Sequence, residues 1–366
     1  MSKNRYQLTG SLAKNGYDWW WHSFVGLDPE TGEQKPFFIE YYIINPALWE
    51  GKIVLGQQSE NKQQKNRPCY AMIKAGTWGK DKAQIHEFFG FSDIKVSCKE
   101  VNCVFGINSL SETCLKGSLN ISQDESTHFP ERMTDAGSMK WDLTVNKKIK
   151  FDVGYGSSKM FSALKMFKMF WHVEGMLSEY KGTIEFNNKK YIVEPESSFG
   201  YQDKNWGSDY TNPWIWLNCN NFISLKTGKP VIASLDVGGG CPVVMGIPLN
   251  RKILTAFYYN NEMHEFNFSK FWKFSKQKFR SYEDNDYIFW EVISENKYNI
   301  LDIRFKCKKD LMLLVNYENP KGEKLHKKLW NGGHAEGIVK FYRKGKELVL
   351  IDELQASFGG CEYGEY

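Results

Sequence analysis

Long apolar runs are absent from this chain of 366 residues. No stretch approaches the roughly 18 apolar residues that a membrane-spanning helix needs, and the polar opening from Met1 to Gly10 has no apolar core of a secretory leader. The expectation is a soluble, cytoplasmic protein. Cysteine is sparse for a scaffold role: the eight stand at 69, 98, 103, 114, 219, 241, 307 and 361 without a Cys-x-x-Cys pair, so reduced thiols are expected. No Gly-x-Ser-x-Gly elbow is present. The glycine-rich Asp236-Val-Gly-Gly-Gly240 lacks a following P-loop lysine and reads as a bulged strand or turn rather than a phosphate cradle. His172 and Glu174 share a strand face, but no third residue has convincing metal-ligand spacing, and no metal is expected. The net charge of +5 is spread in short Lys-rich patches with acidic residues between them, which argues against a nucleic-acid partner.

What the chain has in quantity is aromatic rings: 13 Trp, 19 Tyr and 25 Phe. Rings favour strands and apolar pockets. Strand-like alternation dominates. Trp141–Phe151 alternates apolar residues with a Lys-rich break, Asn299–Cys307 and Gly337–Ile351 repeat the theme, the latter turning at Lys344-Gly345, and Gly182–Val193 reads as a hairpin turning at Asn187-Asn188. Many short strands with tight turns predict an all-β fold of barrels or sandwiches. At this length two units are expected: an N-terminal barrel over 1–156, a connection over 157–172 and a C-terminal barrel over 173–366. Gln57–Arg67 reads as a mobile polar loop. The run from Ser157 to Trp171 is the one strong helix-like stretch, apolar around nearly its whole circumference. It reads as a connection packed against both units or, more sharply, as a Met/Phe lid making transient contact with a membrane surface.

Two segments carry groups suited to chemistry. In a strand, Trp19 and Trp21 of Asp18-Trp-Trp-Trp-His22 face one side while Asp18, Trp20 and His22 face the other, and His22 beside a pocket could pass a proton. The second segment runs from Phe199 to Asn220. Its first part holds Tyr201, Asp203, Lys204, Asn205 and Trp206 between two glycines. After Pro213, Trp214, Trp216, Asn218 and Asn220 alternate with Ile215, Leu217 and Cys219. The aliphatic set belongs to a core, and the ring-and-amide set is what a selective apolar pocket needs.

Tyr201-Gln-Asp-Lys-Asn-Trp-Gly207 followed by Trp214-Ile-Trp-Leu-Asn-Cys-Asn220 resembles the signature of the tocopherol cyclase family, in which an acidic-Lys-Asn-Trp-Gly block precedes an aromatic-Trp-x-x-Cys-Asn strand. Trp19-Trp-Trp21 with Phe37–Pro46, the approach from Gly182 to Gly207, and Glu336–Cys361 are similar to further parts of that family. The resemblance implies two lipocalin-like antiparallel barrels packed together. It also implies a cofactor-free enzyme that protonates a double bond of a hydrophobic substrate such as an isoprenoid, quinol, steroid or polyene. Cyclisation, hydration and isomerisation all fit, as in tocopherol cyclases and the related carotenoid hydratases. A departure bears on this: the family usually carries Glu where Asp203 stands, so the acid is one methylene shorter.

Asp203 is the candidate acid, since burial among rings would raise its pKa and keep it protonated. Lys204 is expected to point the opposite way along the strand. An Asp capping the tight turn between Gly200 and Gly207 is the plainer alternative. Glu40 and Tyr41 of Phe37-Phe-Ile-Glu-Tyr-Tyr42 are secondary candidates, Glu40 with His22 for proton relay. Trp19, Trp21, Tyr41, Tyr201, Asn205, Trp206, Trp214, Trp216, Asn218 and Asn220 are expected to bind the substrate. A non-catalytic carrier for the same kind of molecule needs the same aromatic walls and stays open; the oligomeric state is not legible.

Overall fold

The computed structural model describes residues 3–153, 168–241, 243–244, 247–248, 250, 252–267, 270, 275–323 and 328–365. Among these, two twelve-stranded sheets account for most of the fold, and every pairing within them is antiparallel. The all-β expectation therefore holds. No helix among the described residues is long and apolar enough to cross a membrane.

Short connections follow the turn chemistry of the sequence. Asn187 and Asn188 both take positive φ (48° and 65°) and close the hairpin between Met169–Phe186 and Lys189–Val193, as the Asn-Asn pair predicts. The polar stretch at 57–67 is not a bare loop. It contains a short helix, Ser59–Gln64, and its entry is fastened where Glu318 accepts from the backbone N–H of Gly56 (3.0 Å) and Gln57 (2.5 Å).

The first sheet holds the opening strand Tyr17–Leu27, its hairpin partner Gln34–Ile44, and the strands through Gly200–Gly207. The second begins at Trp214. Gly200–Gly207 is hydrogen-bonded to Tyr17–Leu27 on one side and to Met169–Phe186 on the other, so the signature strand completes the first sheet. The sheets thus part between Gly207 and Trp214, not at 157–172, and the first part of the signature does not belong to a second barrel. Sequence alternation cannot show this, because it carries no information on which strands pair. The helix-like run over 157–171 falls mostly outside the described residues, but its end, Met169-Phe170-Trp171, opens an 18-residue strand.

Each sheet curls around its own apolar cluster. The first contains Trp20, Phe24, Ile39, Tyr41 and Trp141, the second Leu217, Leu235, Phe257, Trp290 and Ile303. A third cluster lies where the two units meet and draws Trp21, Phe38, Tyr42, Trp171 and Tyr201 from the first and Trp216, Leu254, Tyr317 and Leu329 from the second. Aromatic side chains bury large areas and dominate such seams. Polar clasps cross it too. Trp78 Nε1 donates to Asn331 Oδ1 (2.8 Å), and Asn45 Nδ2 donates to the carbonyl of Pro320 (2.6 Å).

Candidate active site

Strand register decides which side chains reach the seam. In an antiparallel pair, directly opposed residues share a face. Trp21 lies opposite both Glu40 and Asp203, and Trp19 opposite both Tyr42 and Asn205. Trp19, Trp21, Asp203 and Asn205 therefore point together out of the first barrel. On the second sheet Trp216 lies opposite Gly238 and Glu362, and Asn218 opposite Asp236 and Gly360. Their common face meets the first set. The result is a crevice in two adjoining compartments of about 20 Å³ each. The inner one is lined by Trp19, Trp21, Asp203, Asn205, Trp214, Trp216, Tyr317 and Glu362. Each compartment has room for about one water molecule.

Two glycines on the second sheet leave room for indoles, Gly238 for Trp171 of the first barrel and Gly360 for Trp216 of its own sheet. A Cβ on Gly238 would lie 2.7 Å from the Trp171 ring, and one on Gly360 would lie 2.5 Å from the Trp216 ring. Asp236-Val-Gly-Gly-Gly240 is thus neither a bulge nor a turn. It is part of the regular strand Ala233–Gly240, and Gly238 is bare of a side chain where the Trp171 indole of the facing barrel lies against it.

Asp203 sits at the centre, 5% exposed. Its Oδ2 accepts from Trp171 Nε1 (2.7 Å) and from the Tyr201 hydroxyl (3.3 Å), while the buried Oδ1 has no partner among the described residues. The Tyr201 hydroxyl also lies 3.1 Å from Asp236 Oδ2 and accepts from Trp216 Nε1 (3.3 Å), which is in turn 3.2 Å from Asp236 Oδ1. A phenol has one hydrogen. Tyr201 can donate to only one of its two carboxyl neighbours, so the other contact becomes a hydrogen bond only if a carboxyl supplies the proton. The Asp203–Tyr201–Asp236 chain therefore holds at least one carboxyl proton when fully hydrogen-bonded. Burial acts in the same direction: it pushes Asp203 up to about 8 and Asp236 well above the carboxylate range.

Lys204 does point the opposite way. It lies in the first barrel, fully buried, paired with Asp18 and 3.5 Å above the Trp20 ring. It is not a surface residue, but its charge is neutralised away from Asp203. His22 shares that interior face. Its Nδ1 is 2.8 Å from the Tyr180 hydroxyl, and burial drives its pKa well below the ordinary value, so the ring is neutral. It does not line the crevice. Tyr41 packs inside the same barrel against Phe105, and Trp206 stacks on Phe170 with its ring centroid 5.5 Å away; neither reaches the crevice. Their odd-even position on the strand puts them on the wrong face.

Glu40 faces the seam, but its Oε2 is 2.9 Å from Lys74 Nζ, and both side chains are fully buried. Tyr317 completes the triangle, donating to Glu40 (2.8 Å) and accepting from Lys74 (2.7 Å). Tyr317 lines the crevice and Glu40 does not. Asn205, oriented with its oxygen 3.3 Å from Trp19 Nε1 and its nitrogen 3.1 Å from the Phe170 carbonyl, braces the Trp19 wall.

Asn218 and Asn220 turn out to be ties. Asn218 Nδ2 donates to the Leu235 carbonyl (3.1 Å), and Asn220 Nδ2 donates to the carbonyls of Met176 (3.0 Å) and Gly200 (2.8 Å) on the other sheet. Asn220→Ala removes both bonds across the seam and leaves the Met176 carbonyl only its bond from the Ser234 hydroxyl (3.1 Å). It is expected to destabilise the protein by about 1–3 kcal/mol, read as a lowered urea midpoint; an unchanged midpoint would refute the tie.

Sequence reasoning missed Trp171, Asp236, Tyr317, Lys74 and Glu362. Glu362 lines both compartments and accepts from Trp214 Nε1 and Asn331 Nδ2, each at 2.7 Å. The local signal for Asp236 was an acid beside three glycines in a strand, and for Glu362 an acid following Gly-Gly-Cys. Both became meaningful only through pairing with the Trp214–Cys219 strand, where Asp236 lies opposite Asn218 and Glu362 opposite Trp216. Among the described residues no group of three or more His, Cys, Asp or Glu side chains could hold a metal ion.

Comparisons with known proteins bear on this arrangement. The sequence profile of the tocopherol cyclase-like family matches residues 51–365. A probable chloroplastic tocopherol cyclase from Oryza sativa subsp. japonica is 26% identical over 149 residues, 40% of this chain and 29% of that protein. A chloroplastic tocopherol cyclase from Zea mays is 26% identical over 106 residues, 29% of this chain and 21% of that protein. The match thus spans less than a third of either plant protein. Two solved structures are similar in build at low sequence identity: a Nitrosomonas europaea protein given the name AttH (TM-score 0.46, 9% identity, covering 93% of this chain and 92% of that one) and kievitone hydratase from Nectria haematococca (TM-score 0.43, 11% identity, 97% and 93%). With the profile covering most of its length, including the Asp203 strand, the Trp216 strand and the closing strand with Glu362, the chain belongs to the tocopherol cyclase-like family.

Proposed function

We propose that the crevice is the active site of a cofactor-independent enzyme in which Asp203 protonates a carbon–carbon double bond of a hydrophobic substrate. The observation that carries this reading is the state of Asp203: a buried acid with one oxygen held by Trp171 and Tyr201 and the other unpartnered among indoles. Protonating a trisubstituted alkene of the prenyl kind creates a tertiary carbocation, which needs apolar walls that exclude bulk water and ring faces that stabilise positive charge. Trp19, Trp21, Trp214 and Trp216 supply both. The tie to Asp236 through Tyr201 holds the proton ready. Capture of the cation by an internal oxygen gives cyclisation, capture by water gives hydration, and loss of a neighbouring proton gives isomerisation. Family membership supports this class of reaction for the chain.

A carrier finds less support. Each barrel interior holds a packed apolar core, and a storage protein has no use for a shared carboxyl proton beside its ligand. Solvent extraction of the purified protein, with native mass spectrometry, would name the chemical class of its ligand. Incubating that molecule with the protein in heavy water is expected to place deuterium on carbon. A ligand recovered unchanged, with no carbon-bound deuterium, would establish the carrier instead.

A further inference from the structure

Two acids border the inner compartment, one from each barrel, and their surroundings differ. Asp203 has an unpartnered oxygen and a share in a carboxyl proton. Glu362, in the closing strand Leu348–Glu365, takes one N–H donor on each oxygen: the Trp214 indole on Oε2 and the Asn331 amide on Oε1. Asn331 is itself fixed, since its Oδ1 accepts from Trp78 Nε1 at 2.8 Å. Neither the indole nor the amide can accept a hydrogen from the carboxyl in this orientation, so the pair is built to hold a carboxylate. Each carboxylate oxygen retains a lone pair for a further donor, and Glu362 faces both compartments.

We propose that Glu362 is the catalytic base of the reaction: it accepts the proton of the oxygen nucleophile while Asp203 protonates the alkene on the other side of the crevice. This inference rests on the function proposed for Asp203 and adds the second half of the proton balance. The Asp203 O–H bond breaks as a C–H bond forms at the alkene. The nucleophile's oxygen then bonds the cationic carbon, and its O–H proton passes to Glu362. The substrate gains one proton on carbon and loses one from oxygen, so a ring closure leaves its composition unchanged, while water as nucleophile adds one H₂O. Nothing is oxidised or reduced. The cycle ends with Asp203 ionised and Glu362 protonated, and one proton returned through solvent as product leaves restores both.

The groups facing Glu362 fit a base. Burial pushes the Glu362 carboxyl up to about 7, with the Asn331 and Trp214 N–H donors and then Lys74, bridged to Glu40 and Tyr317, favouring the anion and the Glu40 charge opposing it. Asp203, across the compartment, is pushed up further by the Glu362 charge, so ionisation of one acid keeps the other protonated.

The test uses the full-length protein with geranylhydroquinone, a phenol carrying an alkene, in heavy water; ring closure is followed by chromatography and carbon-bound deuterium by mass spectrometry. Wild type is expected to form the cyclic ether with deuterium on carbon. Glu362→Gln is expected to lower kcat for ring closure on the order of 10²-fold with KM little changed and with deuterium still reaching the alkene carbons. It should also remove the loss of rate that wild type shows as pH falls through about 7. Glu362→Asp, which keeps the carboxylate, should recover part of the rate. A Glu362→Gln protein that cyclises at the wild-type rate, or that keeps the same acidic limb, overturns the base role while leaving Asp203 untouched. A wild-type protein that puts no deuterium on the alkene overturns the reading of Asp203, and the base role with it.

Discussion

Asp203→Asn is expected to abolish turnover, a fall of roughly 10²–10⁴-fold in kcat, while the protein folds and still binds its ligand. The amide matches the carboxyl in shape. Its oxygen can occupy the Oδ2 position and accept from Trp171 and Tyr201, and its nitrogen takes the place of the unpartnered Oδ1. What it lacks is an acidic proton. Quenching of the crevice tryptophans reads binding separately from turnover; loss of binding or folding would make Asp203 structural. Wild-type activity should decline as pH rises through about 8, where Asp203 gives up its proton. Stability follows with a definite sign. Below about pH 4 the folded and unfolded chains both bind this proton, and between about 4 and 8 only the folded chain does. Stability from this group is therefore lost as pH rises across that window, and Asp203→Asn should flatten that part of the profile.

Lys74→Met carries the largest expected effect on stability. Lys74 and Glu40 are both inaccessible to solvent and 2.9 Å apart, with Tyr317 bonded to each. Removing the cation leaves a buried carboxylate facing a phenol. Breaking such a pair from one side costs about 3–5 kcal/mol, whereas replacing both charges is often close to neutral. The single variant should therefore show a much lower denaturant midpoint, and the Lys74→Met/Glu40→Gln double variant should recover most of it. A double variant as unstable as the single one would show that Lys74 acts through packing alone. Tyr317 is a wall of the crevice, so the same pair also sets where that wall stands.

How much of this was legible in the sequence depends on the distance over which the information acts. Period-two alternation placed Trp19 and Trp21 on one face and Trp20 on the other, separated Asp203 from Lys204, and split Trp214 and Trp216 from Ile215 and Leu217. Such patterns need only one strand, and the structure shows each of them. The Asn187-Asn188 pair, a turn signal equally local, marked its hairpin. Alternation failed where pairing decides. His22, Tyr41 and Trp206 come from the right segments but sit on the barrel side. Asn218 and Asn220 have the right parity, yet Asn218 is tied to the Leu235 carbonyl of the neighbouring strand and Asn220 to two carbonyls of the first sheet. Asp236 and Glu362 become site residues because both flanking strands set them beside Trp216 and Asn218, a relation that spans more than a hundred residues in the case of Glu362. Trp171 was hidden by a run of Met, Phe and Lys whose apolar residues mimic a helix. Its strand is specified by hydrogen bonding to Gly200–Gly207, not by its own sequence.

The narrowness of the crevice has a thermodynamic corollary. Two compartments with space for about one water each cannot receive a prenyl-sized chain unless the indole walls separate, so ligand binds only to the fraction of molecules in which they have done so. Measured affinity is then the intrinsic affinity multiplied by that fraction. Every ~1.4 kcal/mol spent parting the rings weakens it about tenfold. Under the function proposed for Asp203, the same closure that would keep bulk water away from a carbocation makes the free protein a reluctant binder, and loosening the seam would trade protection of the intermediate for ease of entry.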